Sequence, residues 1–190
     1  MRIKSYCFAY LIVCIYNLFC MEHQKYDYLK SAPFKERMKI AAAWVQECSP
    51  IVEIGGAGNP MSKYLKNTKV IVIDPEISRK DDEMAVHIRA DFEHWKGQAE
   101  LENTKYAVII MALDLNMQCR GWNKLCDLID GSSKTVIEYS SEYKRAKKQL
   151  KDIEKNVLKK RTLVEEFDFS DYNFGKYRSV YPYRTMICLE

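Results

Sequence analysis

The sequence predicts an α/β fold: a doubly wound, mostly parallel seven-stranded sheet with an antiparallel C-terminal strand pair and helices on both faces. Three observations predict it. Short apolar runs alternate with segments of helical periodicity. Most of the runs are almost entirely apolar, as expected of parallel strands that are covered on both faces. The last two runs have no helix-length pattern between them, which predicts that these two strands pair antiparallel.

The elements follow one another in a regular order. An amphipathic helix is predicted over 34–48, with Phe34, Met38 and Val45 on its apolar side, and Pro50 follows its end. Five strands are predicted next, at 51–54, 70–73, 86–88, 106–113 and 135–137. Helices are predicted at 60–65, 95–102, 121–129 and 142–160. The closing strands are predicted at 163–169 and 183–189. The connection 77–85 is shorter than a crossover helix of ~10 to 12 residues, so we expect a helical stub there.

Length and composition favour a single domain over 22–190, preceded by an apolar leader at 1–21. The chain has 190 residues, of which 47% are hydrophobic, and this is enough to bury a core. The formal net charge of +4 is too small to indicate nucleic-acid binding by itself. The 7 cysteines are scattered and odd in number and form no C-x-x-C pair. We therefore expect free thiols in a reducing compartment, with no disulfide framework and no metal site.

The leader leaves the location of the protein open. Arg2 and Lys4 precede an apolar stretch at 6–20, which resembles the apolar region of a signal peptide. It is short for a membrane span, which needs ~20 apolar residues. No small-residue cleavage site follows it. A cleaved signal, an uncleaved membrane anchor and a true start at Met21 are therefore the three alternatives, while the predicted chemistry favours the cytoplasm.

The segment 51–60, IVEIGGAGNP, is the most informative in the chain. A buried strand runs into a series of small residues and then reaches Pro60, where a helix can begin. Such a turn brings backbone N–H groups and bare main chain close to a ligand. Glu53 would repel a pyrophosphate there. The turn therefore suits a cationic or hydroxyl-bearing ligand.

From residue 34 to the C-terminus, the chain resembles the class I S-adenosylmethionine-dependent methyltransferases. The first motif of that family is an acid, one spacer and then alternating glycines. Glu53 and Gly55 match the acid and the first glycine. Ala57 and Asn59 stand where the family often has its second and third glycines, and Asn tolerates a positive φ better than other non-glycine residues.

Three further landmarks of the family follow, each at the end of a predicted strand. Asp74 matches the acid that holds the ribose hydroxyls, and Asp91 the acid that reads the adenine amino group. Turn formation by Asp74 and helix capping by Asp91 are the structural alternatives. The fourth landmark, after the fourth strand, faces the methyl group. The resemblance implies that S-adenosyl-L-methionine is the cofactor, bound by Glu53, Gly55, Gly56, Ala57, Gly58, Asn59, Asp74, Pro75, Asp91, Phe92, Ala112 and Leu113.

The implied activity is transfer of a methyl group to an unidentified acceptor, with Asp114 as the base if that acceptor is a hydroxyl. Asp114 is otherwise an ordinary loop residue. Two alternatives are a non-catalytic methyltransferase-like binding module and a nicotinamide- or flavin-binding Rossmann protein. The Rossmann fingerprint would need a glycine at the position of Met61.

A small-molecule acceptor is favoured over the exocyclic amines of nucleic acids. The Asn/Asp-Pro-Pro-Tyr/Phe signature of methyltransferases that act on those amines is absent after the fourth strand. A basic segment at 144–161 nevertheless offers a contact for nucleic acid or an anionic surface. The solvated face of an amphipathic helix is the simpler interpretation of that segment.

Overall fold

A computed structural model describes residues 32–56, 60–75, 84–111, 121–140, 148, 151–152, 155, 161–169 and 184–190. The predicted leader and the sites at Ala57, Gly58, Asn59, Ala112, Leu113 and Asp114 lie outside the described residues, as does most of the stub at 77–85. Of the predicted helix over 142–160, the described positions 148, 151, 152 and 155 are helical. Within the part of the chain that is described, no helix has the length and apolarity to cross a bilayer.

The described strands form one seven-stranded sheet, in the order β3-β2-β1-β4-β5-β7-β6. Strands β1 to β5 pair in parallel with their neighbours, whereas β7 lies antiparallel to both β5 and β6. This confirms the predicted fold class, including the antiparallel C-terminal pair. The strands are β1 (Ile51–Ile54), β2 (Val70–Ile73), β3 (Ala85–Ile88), β4 (Ala107–Ile110), β5 (Lys134–Ser140), β6 (Leu163–Asp168) and β7 (Arg184–Leu189).

Helices cover both faces of the sheet. Helix α1 (Ala32–Val45) packs on one face and helix α2 (Trp122–Gly131) on the other. Because side chains alternate along a strand, Ile51 of β1 joins the core under α1, and its neighbour Val52 joins the core under α2. By the same alternation, Glu53 lies on the α1 face. Each core is therefore built from alternate residues of the same buried strands.

Two predicted helices are shorter and tighter than the sequence suggested. The segment predicted as a helix at 60–65 is a 3-10 turn at Met61–Lys63. That predicted at 95–102 is a 3-10 turn at Gly97–Leu101, with a further 3-10 turn at Phe92–His94 before it. Lys124 of α2 holds the backbone around the earlier turn. Its ammonium donates hydrogen bonds to the carbonyls of Phe92, Glu93 and Trp95.

Candidate functional site

The glycine turn and Asp74 meet at the carboxyl edge of the sheet. Strands β1 and β2 are parallel neighbours, and Ile54 is paired with Ile73 at their ends. The N–H of Gly55 donates to the carbonyl of Ile73 at 3.0 Å, and the N–H of Asp74 donates to that of Ile88 at 3.1 Å. The exits of β1, β2 and β3 are therefore tied together, at the edge where open α/β sheets bind their ligands.

Glu53 is a fully buried acid beneath the turn, with an exposure of 0%. Its Oε2 accepts a hydrogen bond from the backbone N–H of Met61 at 2.7 Å, while its Oε1 has no hydrogen-bond partner among the described residues. Burial raises the pKa of Glu53 to about 8, and the charge of Asp74 also raises it, whereas the Met61 bond, Arg37 and Lys63 lower it. The carboxyl is therefore mostly protonated at neutral pH.

Gly55 and Gly56 give the turn its shape. Gly55 has a φ of 84°, in the left-handed region that favours glycine. A Cβ on Gly56 would lie 2.4 Å from the carboxyl carbon of Glu53, so a side chain at this position would force that carboxyl to move. The main chain at Gly56 therefore rests directly on the acid.

Asp74 and Pro75 form the exit of β2. Asp74 is buried, with an exposure of 8%. The carbonyl of Pro75 accepts a hydrogen bond from Arg89 Nε at 3.3 Å, which connects this exit to that of β3. The charge of Asp74 is close enough to Glu53 to raise the pKa of that acid. Two acids at adjacent strand ends, one with an unpaired oxygen, suit a ligand that donates hydrogen bonds and disfavour a phosphate.

Asp91 and Phe92 lie at the exit of β3 with different exposures. The side chain of Asp91 is 66% exposed, makes no capping hydrogen bond, and has its Oδ2 3.8 Å from His94 Nδ1. The ring of Phe92 is buried at 7% exposure, with its centroid 6.1 Å from that of Trp95 and 5.2 Å from Lys124 Nζ. The capping alternative for Asp91 is not observed. The predicted adenine contacts of both residues stay predictions.

Solved structures share this architecture, although no family model matches the sequence and no curated protein matches it. An rRNA methylase from Streptococcus thermophilus is 15% identical with a TM-score of 0.52, over 85% of this chain and 97% of its own. Trm5b from Pyrococcus abyssi is 14% identical with a TM-score of 0.56, over 84% of this chain and 49% of its own. Streptococcus pneumoniae Sp1610, proposed as a tRNA (m1A22) methyltransferase and crystallised with S-adenosyl-L-methionine, is 11% identical with a TM-score of 0.51, over 82% of this chain and 72% of its own.

The chain has the class I methyltransferase fold. The sequence-based resemblance is thus confirmed at the level of the fold. In this methyltransferase fold, Glu53, Gly55, Gly56 and Asp74 occupy the ends of two adjacent strands at one edge of the sheet. The ligand contacts assigned to these residues stay predictions.

A buried charged cluster in the methyltransferase fold was missed by reasoning from sequence. Arg37 of α1 donates through Nη1 to Oε1 of Glu138 in β5, and Nε of Arg184 in β7 lies 3.6 Å from the same oxygen. All three residues are buried. The available signal was Glu138 itself, an acid that directly follows the apolar residues Val136 and Ile137 of β5, since a buried acid needs a partner.

The described cysteines are free thiols. Cys48 and Cys188 are buried and Cys126 is half-buried. Burial raises the pKa of Cys188 to about 11, which keeps this thiol protonated and unreactive at neutral pH. Among the described residues, no group of His, Cys, Asp and Glu side chains could hold a metal ion.

Proposed function

We propose that this chain is an S-adenosyl-L-methionine-dependent methyltransferase that acts on RNA. The observation that carries the proposal is Glu53. Its carboxyl is buried beneath Gly56, has one unpaired oxygen, and lies one strand away from Asp74 at the carboxyl edge of the methyltransferase fold.

The described residues fit this cofactor better than they fit a dinucleotide. S-adenosyl-L-methionine presents an ammonium group and two ribose hydroxyls as hydrogen-bond donors, and carries no phosphate. Glu53 and Asp74 offer carboxyl oxygens to such donors, whereas a pyrophosphate would meet two acids. Gly55 takes the positive φ that the turn needs, and the absence of a side chain at Gly56 leaves room for the Glu53 carboxyl.

The residues of the chain would mainly position and desolvate the reactants. When bound, the cofactor would supply a methyl group on its sulfonium sulfur. A nucleophile on the acceptor would bond to the methyl carbon as the S–CH3 bond breaks, and S-adenosyl-L-homocysteine would be the leaving group. Asp74 would hold the ribose hydroxyls, and Glu53 would lie under the amino-acid end near the glycine turn. If the nucleophile is a hydroxyl, we propose Asp114 as the group that accepts its proton.

Two observations favour RNA as the acceptor. Two of the similar structures are described as an rRNA methylase and, by proposal, a tRNA methyltransferase. In addition, Lys148, Lys151 and Lys155 are helical and exposed, and their spacing places them on one face of the helix. Such a row of lysines can contact successive phosphates. The small-molecule acceptor that the sequence favoured receives no support from the similar structures.

Transfer of radiolabel tests the proposal directly. The protein is incubated with methyl-labelled S-adenosyl-L-methionine and either unmodified RNA transcripts, protein extract or a panel of small nucleophiles. We expect label in RNA, with transfer that weakens as salt is raised. A triple Lys→Gln variant at 148, 151 and 155 should transfer less, whereas Lys39→Gln on α1 serves as a matched control and should not.

Each other outcome identifies a specific error. Label in small molecules alone would refute the RNA acceptor and restore the acceptor class that the sequence favoured. Binding of S-adenosyl-L-homocysteine without any transfer would support the non-catalytic module.

N-terminal sequencing of the protein purified from its own cells would separate the three alternatives for the leader. We propose that the protein acts in the cytoplasm.

A further inference from the structure

Arg37 has a buried hydrogen-bond donor that pairs with no described residue. Its side chain is 8% exposed, and its guanidinium lies 4.5 Å from the ring centroid of Phe34. Nη1 donates to Glu138, but Nε–H has no hydrogen-bond partner in the described part of the chain. Buried polar groups in folded proteins are nearly always paired, so an unpaired donor on a charged side chain calls for an explanation.

The strand registers place this donor near the glycine turn. Ile54 of β1 is paired with Ile110 of β4, and Ile110 with Ile137 of β5. Glu138, the next residue of β5, therefore lies at the level of Gly55. Since Nη1 of Arg37 contacts Glu138, the guanidinium lies at the carboxyl edge too. Glu53 lies on the same face of the sheet, close enough for the charge of Arg37 to lower its pKa.

The unused part of the guanidinium has the geometry of a carboxylate receptor. With Nη1 engaged by Glu138, the edge formed by Nε and Nη2 remains, and this edge matches the two oxygens of a carboxylate. A carboxylate bound to that edge would not have to displace any described residue from Nε. On the same face, Oε1 of Glu53 has no partner among the described residues, and it becomes a hydrogen-bond acceptor when the carboxyl ionises. An unpaired donor and an unpaired acceptor together complement the carboxylate and the ammonium of an amino acid.

We propose that Arg37 binds the carboxylate of the amino-acid end of S-adenosyl-L-methionine, while Glu53 receives its ammonium. This assignment rests on the proposed function, and it adds a residue of α1 that lies outside the glycine turn and the strand exits. Glu138 is the positioning residue, because its contact with Nη1 fixes the orientation of the Arg37 guanidinium.

Two ligands that differ only in the amino-acid end test the assignment. S-adenosyl-L-homocysteine carries that end, and 5′-methylthioadenosine lacks it. Both are titrated by calorimetry into the wild type, Arg37→Lys and Arg37→Met. Lys39→Met, an exposed position on the same helix, is the matched control. We expect Arg37→Lys to lower the affinity for S-adenosyl-L-homocysteine by about 10-fold or more, which is the effect of one lost hydrogen bond to a charged group. The affinity for 5′-methylthioadenosine should fall by less than about 2-fold.

The ratio of the two dissociation constants, measured on one preparation, does not depend on the fraction of protein that is folded. An equal loss of affinity for both ligands would overturn the assignment and make Arg37 a packing residue. An unchanged affinity for both would also overturn it. If the wild type binds 5′-methylthioadenosine as tightly as S-adenosyl-L-homocysteine, the inference alone fails. If the wild type binds neither, the proposed function fails with it.

Discussion

Replacing Glu53 with Gln should remove a large pH dependence from the stability of the protein. Gln has nearly the same shape, and its side-chain oxygen can accept the hydrogen bond that Met61 N–H donates at 2.7 Å, but it cannot ionise. In the wild type, burial raises the pKa of Glu53 from 4.5 to about 8. Within this range the folded protein holds a proton that the unfolded chain releases.

The sign and size of the effect follow from this difference. Stability from a raised pKa is fully present below the unfolded value of 4.5, falls as the pH rises, and levels off above about 8. Each pH unit between these limits changes the free energy of unfolding by about 1.4 kcal/mol. From about pH 5 to about pH 7 the free energy of unfolding of the wild type should therefore fall by roughly 3 kcal/mol relative to that of Glu53→Gln. This corresponds to roughly 6 to 12 °C in Tm.

Urea denaturation followed by circular dichroism, at several pH values and constant ionic strength, measures this difference. The stability of the wild type minus that of Glu53→Gln should fall steadily with pH. Glu36→Gln, at a partly exposed position on α1, is the control and should give a flat difference. A flat difference for Glu53→Gln as well would show that the acid is not held neutral in the fold, and the description of the site would be wrong.

Three other changes test the same region. Gly56→Ala should cost about 1 to 3 kcal/mol of stability because its Cβ would lie 2.4 Å from the Glu53 carboxyl carbon; a double-mutant cycle by urea denaturation should show most of that cost removed in a Glu53→Ala background, and additive costs would refute the clash. Glu138→Ala should lower the free energy of unfolding by about 3 to 5 kcal/mol, because it leaves Arg37 and Arg184 buried without their carboxylate; a loss below about 1 kcal/mol in urea would contradict a shielded cluster. If the ammonium of the ligand binds ionised Glu53, calorimetry should show the affinity for S-adenosyl-L-homocysteine rising about tenfold per pH unit up to about 8, with no such rise in Glu53→Gln; an equal rise in both proteins would assign the proton to another group.

The strands could be predicted well because their signal is local. The runs at Ile51–Ile54 and Val70–Ile73 are bounded by turn residues, and Glu53 is the one polar residue within them. Parallel order then brings Glu53 and Asp74 to the same edge without further information. The strand ends that frame the candidate site therefore follow from the sequence, whereas the 3-10 turn at Met61–Lys63 does not.

Features that depend on distant residues could not be predicted in this way. The backbone of the 3-10 turn Phe92–His94 accepts hydrogen bonds from Lys124, about 30 positions further along the chain. Arg37 belongs to the predicted amphipathic helix 34–48, and its partner Glu138 is 101 positions away. Periodicity reports which face of an element is buried. It does not report which buried charges meet.

Binding of S-adenosyl-L-homocysteine to the folded wild-type protein, measured by calorimetry with NAD⁺ as the comparison ligand, tests the central claim most directly. We predict saturable binding of S-adenosyl-L-homocysteine at one site, and no binding of NAD⁺, whose pyrophosphate would face Glu53 and Asp74. Absence of heat with S-adenosyl-L-homocysteine in protein shown to be folded, or saturable binding of NAD⁺ instead, would contradict the assignment of this edge of the sheet to a methyl donor.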